Sequence, residues 1–260
     1  MNGIVELGIK QFGLIYLLLI IVLFVMKKCQ IKQTKLLIVA TLRMTLQLFL
    51  AGLILTHIFQ YPHPAFTLLY LIIMTGFSVH MALSKYKTMN KRFKLIIALS
   101  LSATGCAILV FYIVAVVQVN LFNPQYTIPI SGMIMGNAVK GVSLGLKTFN
   151  ENIKTGRNKI DTLINMGVKP QKALLPFVNQ AIETATLPTI LSMTGMGIIS
   201  LPGMMTGQMI SGTLPQTAIL YQISIIIAIT AATCVSVFCS LYFGYRTLYN
   251  ENNQVNGTLF

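Results

Sequence analysis

The chain has few charged residues and almost no acidic ones. Asp and Glu together number 5 and Lys and Arg 19, so 9% of the 260 residues are charged, against about 25% in soluble domains. Hydrophobic residues make up 55%, and the mean hydropathy is +0.76. This composition excludes an ordinary soluble domain and indicates an integral membrane protein.

Tryptophan is absent, and the few cysteines form no recognised motif. Cys29, Cys106, Cys234 and Cys239 lie in or beside apolar runs without a CxxC pair, so we expect reduced packing residues. No paired carboxylates, HExxH or Ser/His/Asp set appears, which disfavours an intramembrane enzyme. The sequence assigns no metal ligands.

Long apolar runs predict seven membrane spans, each of which needs about 20 residues. The candidates are 8–26, 36–58, 65–84, 95–119, 127–148, 186–210 and 217–244. Glycines and Pro202 interrupt the sixth. Lys27 and Lys28 directly follow the first run, as in a stop-transfer signal, so we expect a retained span rather than a signal peptide.

The basic residues indicate the orientation, because cytoplasmic loops are rich in Lys and Arg. With seven spans, 16 of the 19 bases fall on one side. The prediction is an all-α, multi-pass protein of a bacterial cytoplasmic membrane, N-terminus outside and C-terminus inside. It forms one permease domain, 1–260, with a cytoplasmic segment at 149–185. A five-span alternative with 186–210 re-entrant would misplace Arg246. Bases in short loops favour membrane lipid and no nucleic acid as partner.

The cytoplasmic segment predicts two helices joined by a tight turn. Ile160, Leu163 and Ile164 recur at helical spacing, which is typical of a short amphipathic helix. Gly167 suits the position after its end, and Pro170 suits the start of a second helix. Periodicity alone leaves two roles open, namely packing on the lipid surface and docking into a cytoplasmic partner.

The spacing of Asp161, Gly167 and Pro170 resembles the coupling loop of ABC-importer permeases. In that family the loop fits a groove on the ATPase subunit. The pair Thr162-Leu163 stands where the family motif has Ala-Ala.

Two membrane positions carry polar groups that are candidates for a translocation path. Arg43 and Gln47 lie one turn apart in the second span, where charged groups are costly and often functional. Arg43 could instead extend its side chain towards the membrane surface.

Glycine pairs in the fifth span predict a close helix–helix contact. Gly132 and Gly136, then Gly141 and Gly145, form two GxxxG motifs, which let helix backbones approach. Asn137 would bond across helices or line a path.

The stretch SLPGMMTGQM, residues 200–209, predicts a seam that could act as a gate. Pro202 breaks or kinks a helix, and Gly203 and Gly207 repeat the close-packing pattern. Its methionines, Met204, Met205 and Met209, could bind a soft metal ion, but packing is the favoured interpretation.

Residues 128–138 (IPISGMIMGNA) and 196–222 (MGIISLPGMMTGQMISGTLPQTAILYQ) are similar to signatures of the FetB-like permease family of ABC transporters. That family is linked to bacterial iron export and has plant relatives tied to aluminium tolerance. The resemblance implies a non-catalytic permease that exports a metal ion, most often iron, and forms a homodimer with two ATPase subunits.

No nucleotide is expected to bind this chain, and ATP and Mg would be used by the partner subunit. GVSLGLKT, residues 141–148, resembles a phosphate loop but lacks its Gly-Lys pair. The alternative function is a stand-alone secondary transporter of a metal or small solute, and a sensor subunit is a third possibility.

Overall fold

The computed structural model describes residues 8–86 and 89–249, and their regular structure is helical. The helices are α1 (Ile9–Lys28), α2 (Thr34–Gln60), α3 (Pro64–Leu83), α4 (Lys91–Phe111), α5 (Pro124–Thr155), α6 (Arg157–Asn165), α7 (Pro170–Gly195), α8 (Gly203–Ile210) and α9 (Pro215–Gly244). A π-helical turn, Tyr112–Val117, continues α4, and a 3-10 turn, Tyr245–Thr247, continues α9. An isolated β-bridge joins Met196 and Ser200.

Five helices of the described residues are long and apolar enough to cross a membrane, which confirms an all-α, polytopic membrane protein. They cover Lys10–Lys28, Thr34–Gln60, Pro64–Leu83, Lys91–Val117 and Pro215–Thr247. The predicted span 127–148 lies within α5, which has 32 residues. Asn137 and Lys140 in its middle make α5 more polar than those five helices.

The predicted span 186–210 contains a helix break, as Pro202 and the neighbouring glycines predict. α7 begins at Pro170 and ends at Gly195, and α8 begins only at Gly203. Residues 196–202, which we call the α7–α8 break, interrupt the helix because Gly197 has a φ of +86° and proline has no backbone N–H to continue a helix. The segment 149–185 is correspondingly helical for most of its length.

The core is a bundle of α4, α5, α7 and α9, against which α3 packs through α5. One apolar cluster, the basic-end cluster, lies towards the lysine-rich end of the bundle, where α5 and α9 finish. Its members include Phe93, Ile97, Leu101, Leu146, Phe149, Leu174 and Leu241. The far-end cluster contains Leu109, Tyr112, Ile113, Ile130, Ile134, Ile225 and Ile229.

Helices α1 and α2 lie outside this core, and the most apolar window of each has no buried residue. Tyr16 and Thr45 join them through a hydroxyl–hydroxyl hydrogen bond of 2.7 Å. The first two helices therefore present nearly all of their side chains to the surroundings.

One of the two predicted glycine pairs makes the close contact of α5. A Cβ at Gly141 would lie 2.5 Å from Cγ2 of Thr233 in α9, and one at Gly145 would lie 3.3 Å from Cβ of Ala185 in α7. This confirms α5 as a helix–helix contact. Gly132 and Gly136 meet no atom within 4 Å in the described chain. Each lies nine residues before its counterpart, which is about 180° around an α-helix, so this pair faces away from the bundle.

Candidate functional site

A small polar cleft opens between α5, α7 and α9 in the middle of the bundle. Its volume is about 230 Å³, and its polar lining comes from Asn137, Lys140, Thr189 and Ser192. Ile229, which also lines it, lies halfway along α9. The α5–α7–α9 cleft therefore places one amine, one amide and two hydroxyls at the depth where membrane transporters commonly bind their cargo.

Asn137 contributes to this cleft rather than to a bond between helices. Its Nδ2 donates to the carbonyl oxygen of Met133, one turn earlier in α5, at 2.8 Å. Ser192 likewise donates to its own helix, at the carbonyl oxygen of Thr189, 2.7 Å away. Of the two roles predicted for Asn137, lining a path matches its position.

The α7–α8 break lies level with the middle of α9. Thr230, halfway along α9, donates its hydroxyl to Sδ of Met193 in the last turn of α7 at 3.2 Å. Within the break, the amide of Gly197 donates to the carbonyl oxygen of Ser200 at 3.0 Å. The chain then enters α8 through Pro202, whose carbonyl oxygen accepts bonds from the amide and the hydroxyl of Thr206.

The break is exposed on one side. Ile198 is 92% exposed and Ile199 86% exposed, and Gly203 and Gly207 have no atom within 4 Å of an added Cβ. Irregular backbone at membrane depth is tolerated where protein covers it or where it faces a water-filled path. Much of the break's backbone is bonded within the chain, because the amides of Ile199 and Ser200 both donate to the carbonyl oxygen of Gly195.

The methionines of α8 pack mainly against the core of the chain. Met205 is 8% exposed, and Met204 contacts the far-end cluster. Met205 and Met209 lie one turn apart on α8, as the spacing predicts. The described residues hold no group of three or more His, Cys, Asp or Glu placed to bind a metal ion. Packing stays the favoured interpretation of these methionines, and metal ligation stays the alternative.

The segment 149–185, predicted to be cytoplasmic, forms the two helices and the turn that its residues predict, and α6 ends in a glycine cap. Gly167 has a φ of +84°, its amide donates to the carbonyl oxygen of Ile164, and the amide of Val168 donates to that of Leu163. This pair of hydrogen bonds defines the Schellman motif, in which the left-handed position favours glycine. Pro170 is the first residue of α7 and is buried.

Helix α6 turns its apolar face onto the bundle. Ile160 is buried and Ile164 packs against the basic-end cluster, while Leu163 is half-buried. Asp161 is exposed, and its Oδ2 lies 3.8 Å from Nε of Arg157. A surface ion pair of this kind adds little stability. Met166 is 76% exposed, so the tip of the α6–α7 turn and the polar side of α6 remain free for contact.

The basic ends of α5 and α7 stay side by side down to this turn. Asn152 of α5 donates its Nδ2 to Oε1 of Gln180 in α7 at 3.2 Å. Tyr86, in the loop before α4, packs against the basic-end cluster; burial raises the pKa of its phenol, and the carboxylate of Glu151 in α5 raises it further. Helix α6 thus connects two helices that both line the cleft.

Arg43 and Gln47 lie apart from the cleft. They line a separate cavity of about 610 Å³ between α2 and α3, together with His80. The guanidinium carbon of Arg43 lies 5.5 Å from the ring centroid of Phe77. The structure therefore brings Asn137, and neither Arg43 nor Gln47, to the central cleft.

Sequence reasoning missed three cleft residues as site candidates, namely Lys140, Thr189 and Ser192. A signal was present, because Asn137 and Lys140 share one helix face at i, i+3 spacing, as do Thr189 and Ser192. Which face of α7 meets which face of α5 depends on packing between residues far apart in sequence.

A multi-pass helical bundle with a polar cleft at half depth, a broken helix beside it and a hairpin of α6 and α7 at its basic end has the organisation of a membrane permease. The chain belongs to the uncharacterised protein family UPF0014, whose profile matches residues 9–249. This confirms the family resemblance seen in the sequence motifs.

Three relatives cover most of this chain. The UPF0014 membrane protein YjkA of Bacillus subtilis is 29% identical over 94% of this chain and 98% of its own length. The probable iron export permease protein FetB of Escherichia coli is 27% identical over 95% and 94%. Protein ALUMINUM SENSITIVE 3 of Arabidopsis thaliana is 31% identical over 84% and 79%. No solved structure matches the chain significantly.

Proposed function

We propose that this chain is the membrane-spanning permease subunit of an ABC transporter that exports a metal ion, with iron as the first candidate. The ATP is hydrolysed by a separate subunit, which docks at the basic end. The E. coli relative named as a probable iron export permease supports the substrate class.

The observation that carries this proposal is the position of α6. Helix α6 joins α5 to α7 at the basic end, and its apolar residues pack against the bundle. The tip of the α6–α7 turn, Met166 and Gly167, projects outward. A partner that pushes on this tip moves the two helices that flank the cleft. The resemblance of Asp161, Gly167 and Pro170 to a coupling loop points to the same surface.

The proposal includes seven crossings with the basic end in the cytoplasm. In this arrangement α5 crosses as the fifth span, and the later part of α7, the α7–α8 break and α8 together form the sixth. The clustering of bases in loops at one end of the bundle supports it. The broken sixth span then lies beside the cleft, as in transporters that bind cargo at discontinuous helices.

A homodimer is part of the same proposal. The exposed Ile198 and Ile199 of the α7–α8 break offer an apolar surface to a protein neighbour, and Gly132 and Gly136 leave one face of α5 open for a close contact. A second copy placed on this side covers the break and encloses a path between the two chains.

Transport in proteoliposomes tests the function. The purified chain is reconstituted with and without its ATPase, and efflux of iron(II) is followed with ATP or with a non-hydrolysable analogue. We expect efflux only when the ATPase and hydrolysable ATP are both present.

Efflux from liposomes that hold the chain alone would contradict the proposal and favour a stand-alone secondary transporter. ATP hydrolysis by the purified chain alone would contradict the assignment of catalysis to a separate subunit.

A further inference from the structure

The guanidinium of Arg43 lines a cavity between α2 and α3 at membrane depth. It has no acidic neighbour among the described residues. Arg43 lies nine residues after the start of α2, which is about 13 Å along a helix. Within the described residues it forms no ion pair, and no acidic residue lines the cavity. A charged group at this depth is costly unless something neutralises or solvates it.

The polar groups of the cavity converge from both helices. Arg43 and Gln47 lie on one face of α2, and His80 lies near the end of α3. The ring of Phe77 supports the guanidinium from one side through a cation–π contact, which leaves its N–H donors directed elsewhere. Arginine, glutamine and histidine together offer several hydrogen-bond donors to one anionic group.

A second, apolar cavity of about 520 Å³ lies between α2 and α3 further towards the far end. Its lining includes Leu53, Ile54 and Ile73, which lie about one turn from the cavity residues Ala51 and Phe77. The gap is therefore positively charged at the end that contains Arg43 and apolar along the rest of its length. A free phosphate ion matches only the cationic end, whereas a phospholipid matches both.

We propose that the gap between α2 and α3 binds an anionic glycerophospholipid, with its phosphate at Arg43, Gln47 and His80 and an acyl chain along Leu53 and Ile73. The lipid fills the space between the poorly packed first two helices and the core. Anionic lipids concentrate near membrane-flanking bases, and Lys35 and Lys85 flank the same end of the gap. This inference does not depend on the transported substrate.

Native mass spectrometry of the delipidated full-length chain tests the site. The probes are phosphatidylglycerol, phosphatidylcholine and diacylglycerol with identical acyl chains, and inorganic phosphate. We expect phosphatidylglycerol to bind most tightly. Arg43→Gln should weaken it about tenfold or more, the loss expected for a hydrogen bond to a charged group, while Lys172→Gln, which removes an exposed base of α7 away from the gap, should not.

Ala51→Phe keeps the arginine and fills the gap, so it too should weaken phosphatidylglycerol binding, and it serves if Arg43→Gln fails to fold. Equal binding of the three lipids, or unchanged phosphatidylglycerol binding in Arg43→Gln or Ala51→Phe, would overturn the proposal. Inorganic phosphate that displaces the lipid at comparable concentration would overturn it in favour of a simple anion site.

Discussion

Gly156 lies directly against the ring of Phe177: a Cβ added to the glycine would be 2.5 Å from Cε1 of that ring. Gly156 is the corner residue between α5 and α6, and Phe177 belongs to α7. The start of α6 therefore packs directly against α7, so a displacement of α6 is transmitted to α7 through this contact.

The corner contact predicts that Gly156→Ala destabilises the chain by about 1–3 kcal/mol, the usual cost of overpacking. Phe177→Leu removes the ring atoms that would clash and leaves the carbonyl oxygen of Asn152, 2.9 Å from the added Cβ, so the same glycine substitution should cost less in that background without becoming neutral. Thermal unfolding of the four variants in detergent measures this double-mutant cycle. Additive losses would show that the two residues are not coupled.

The two glycine pairs of α5 should respond differently to an added methyl group. Gly141→Ala places a Cβ 2.5 Å from Thr233 and should lower the unfolding temperature of the detergent-solubilised chain. Gly136→Ala meets no atom of the described chain, so it should leave that temperature unchanged or slightly raised, since alanine favours helix. Equal losses in both variants would contradict the packing described.

Gly167→Ala should loosen the turn between α6 and α7 without unfolding the bundle. An L-residue at a φ of +84° costs about 1 kcal/mol or more. This cost destabilises the α6–α7 turn rather than the bundle as a whole. Amide hydrogen exchange at Val168 should accelerate roughly fivefold. Gly167→Asn is the matched control because asparagine tolerates the left-handed region better, and it should exchange more slowly than the alanine variant.

Lys140→Gln should reduce transport strongly while the protein remains folded. The amine lines the cleft at the proposed path, and charged groups at this depth are rarely retained without a function. Lys147→Gln is the control, because Lys147 is exposed and lies 3.8 Å from Glu151. Efflux in proteoliposomes at matched protein amounts measures both, and equal rates would remove Lys140 from the path.

Replacing Met204, Met205 and Met209 together by leucine should leave metal efflux unchanged. Leucine has a similar volume and preserves the packing of Met205 and Met204 against the core, but it cannot bind a metal ion. A large fall in efflux with an unchanged unfolding temperature would instead assign these thioethers to the path.

Local features of this fold could be predicted because their causes lie within a few residues. The end of α6 follows from Gly167 and the start of α7 from Pro170, and apolar length alone located five spans. The continuity of α7 from Pro170 to Gly195, through the start of the predicted sixth span, was not predicted, because exposed polar residues such as Gln180 and Glu183 interrupt the apolar run.

The cleft could not be predicted because identical local patterns have different neighbours. Gly132 with Gly136 reads as the same motif as Gly141 with Gly145, yet only the second pair meets another helix of the chain. The direction of each face is set by long-range packing of α5 on α9 and α7, which one sequence does not encode in any short window.

Co-purification of an ABC ATPase with the tagged chain tests the central claim most directly. From native membranes, the unmodified chain and Gln125→Glu should bring down the ATPase, because Gln125 is exposed at the far end, in the first turn of α5. Met166→Glu places a charge on the exposed tip of the α6–α7 turn, and this variant should no longer bring down the ATPase. Failure of the unmodified chain to recover any ATPase, or full recovery with Met166→Glu, would contradict the account.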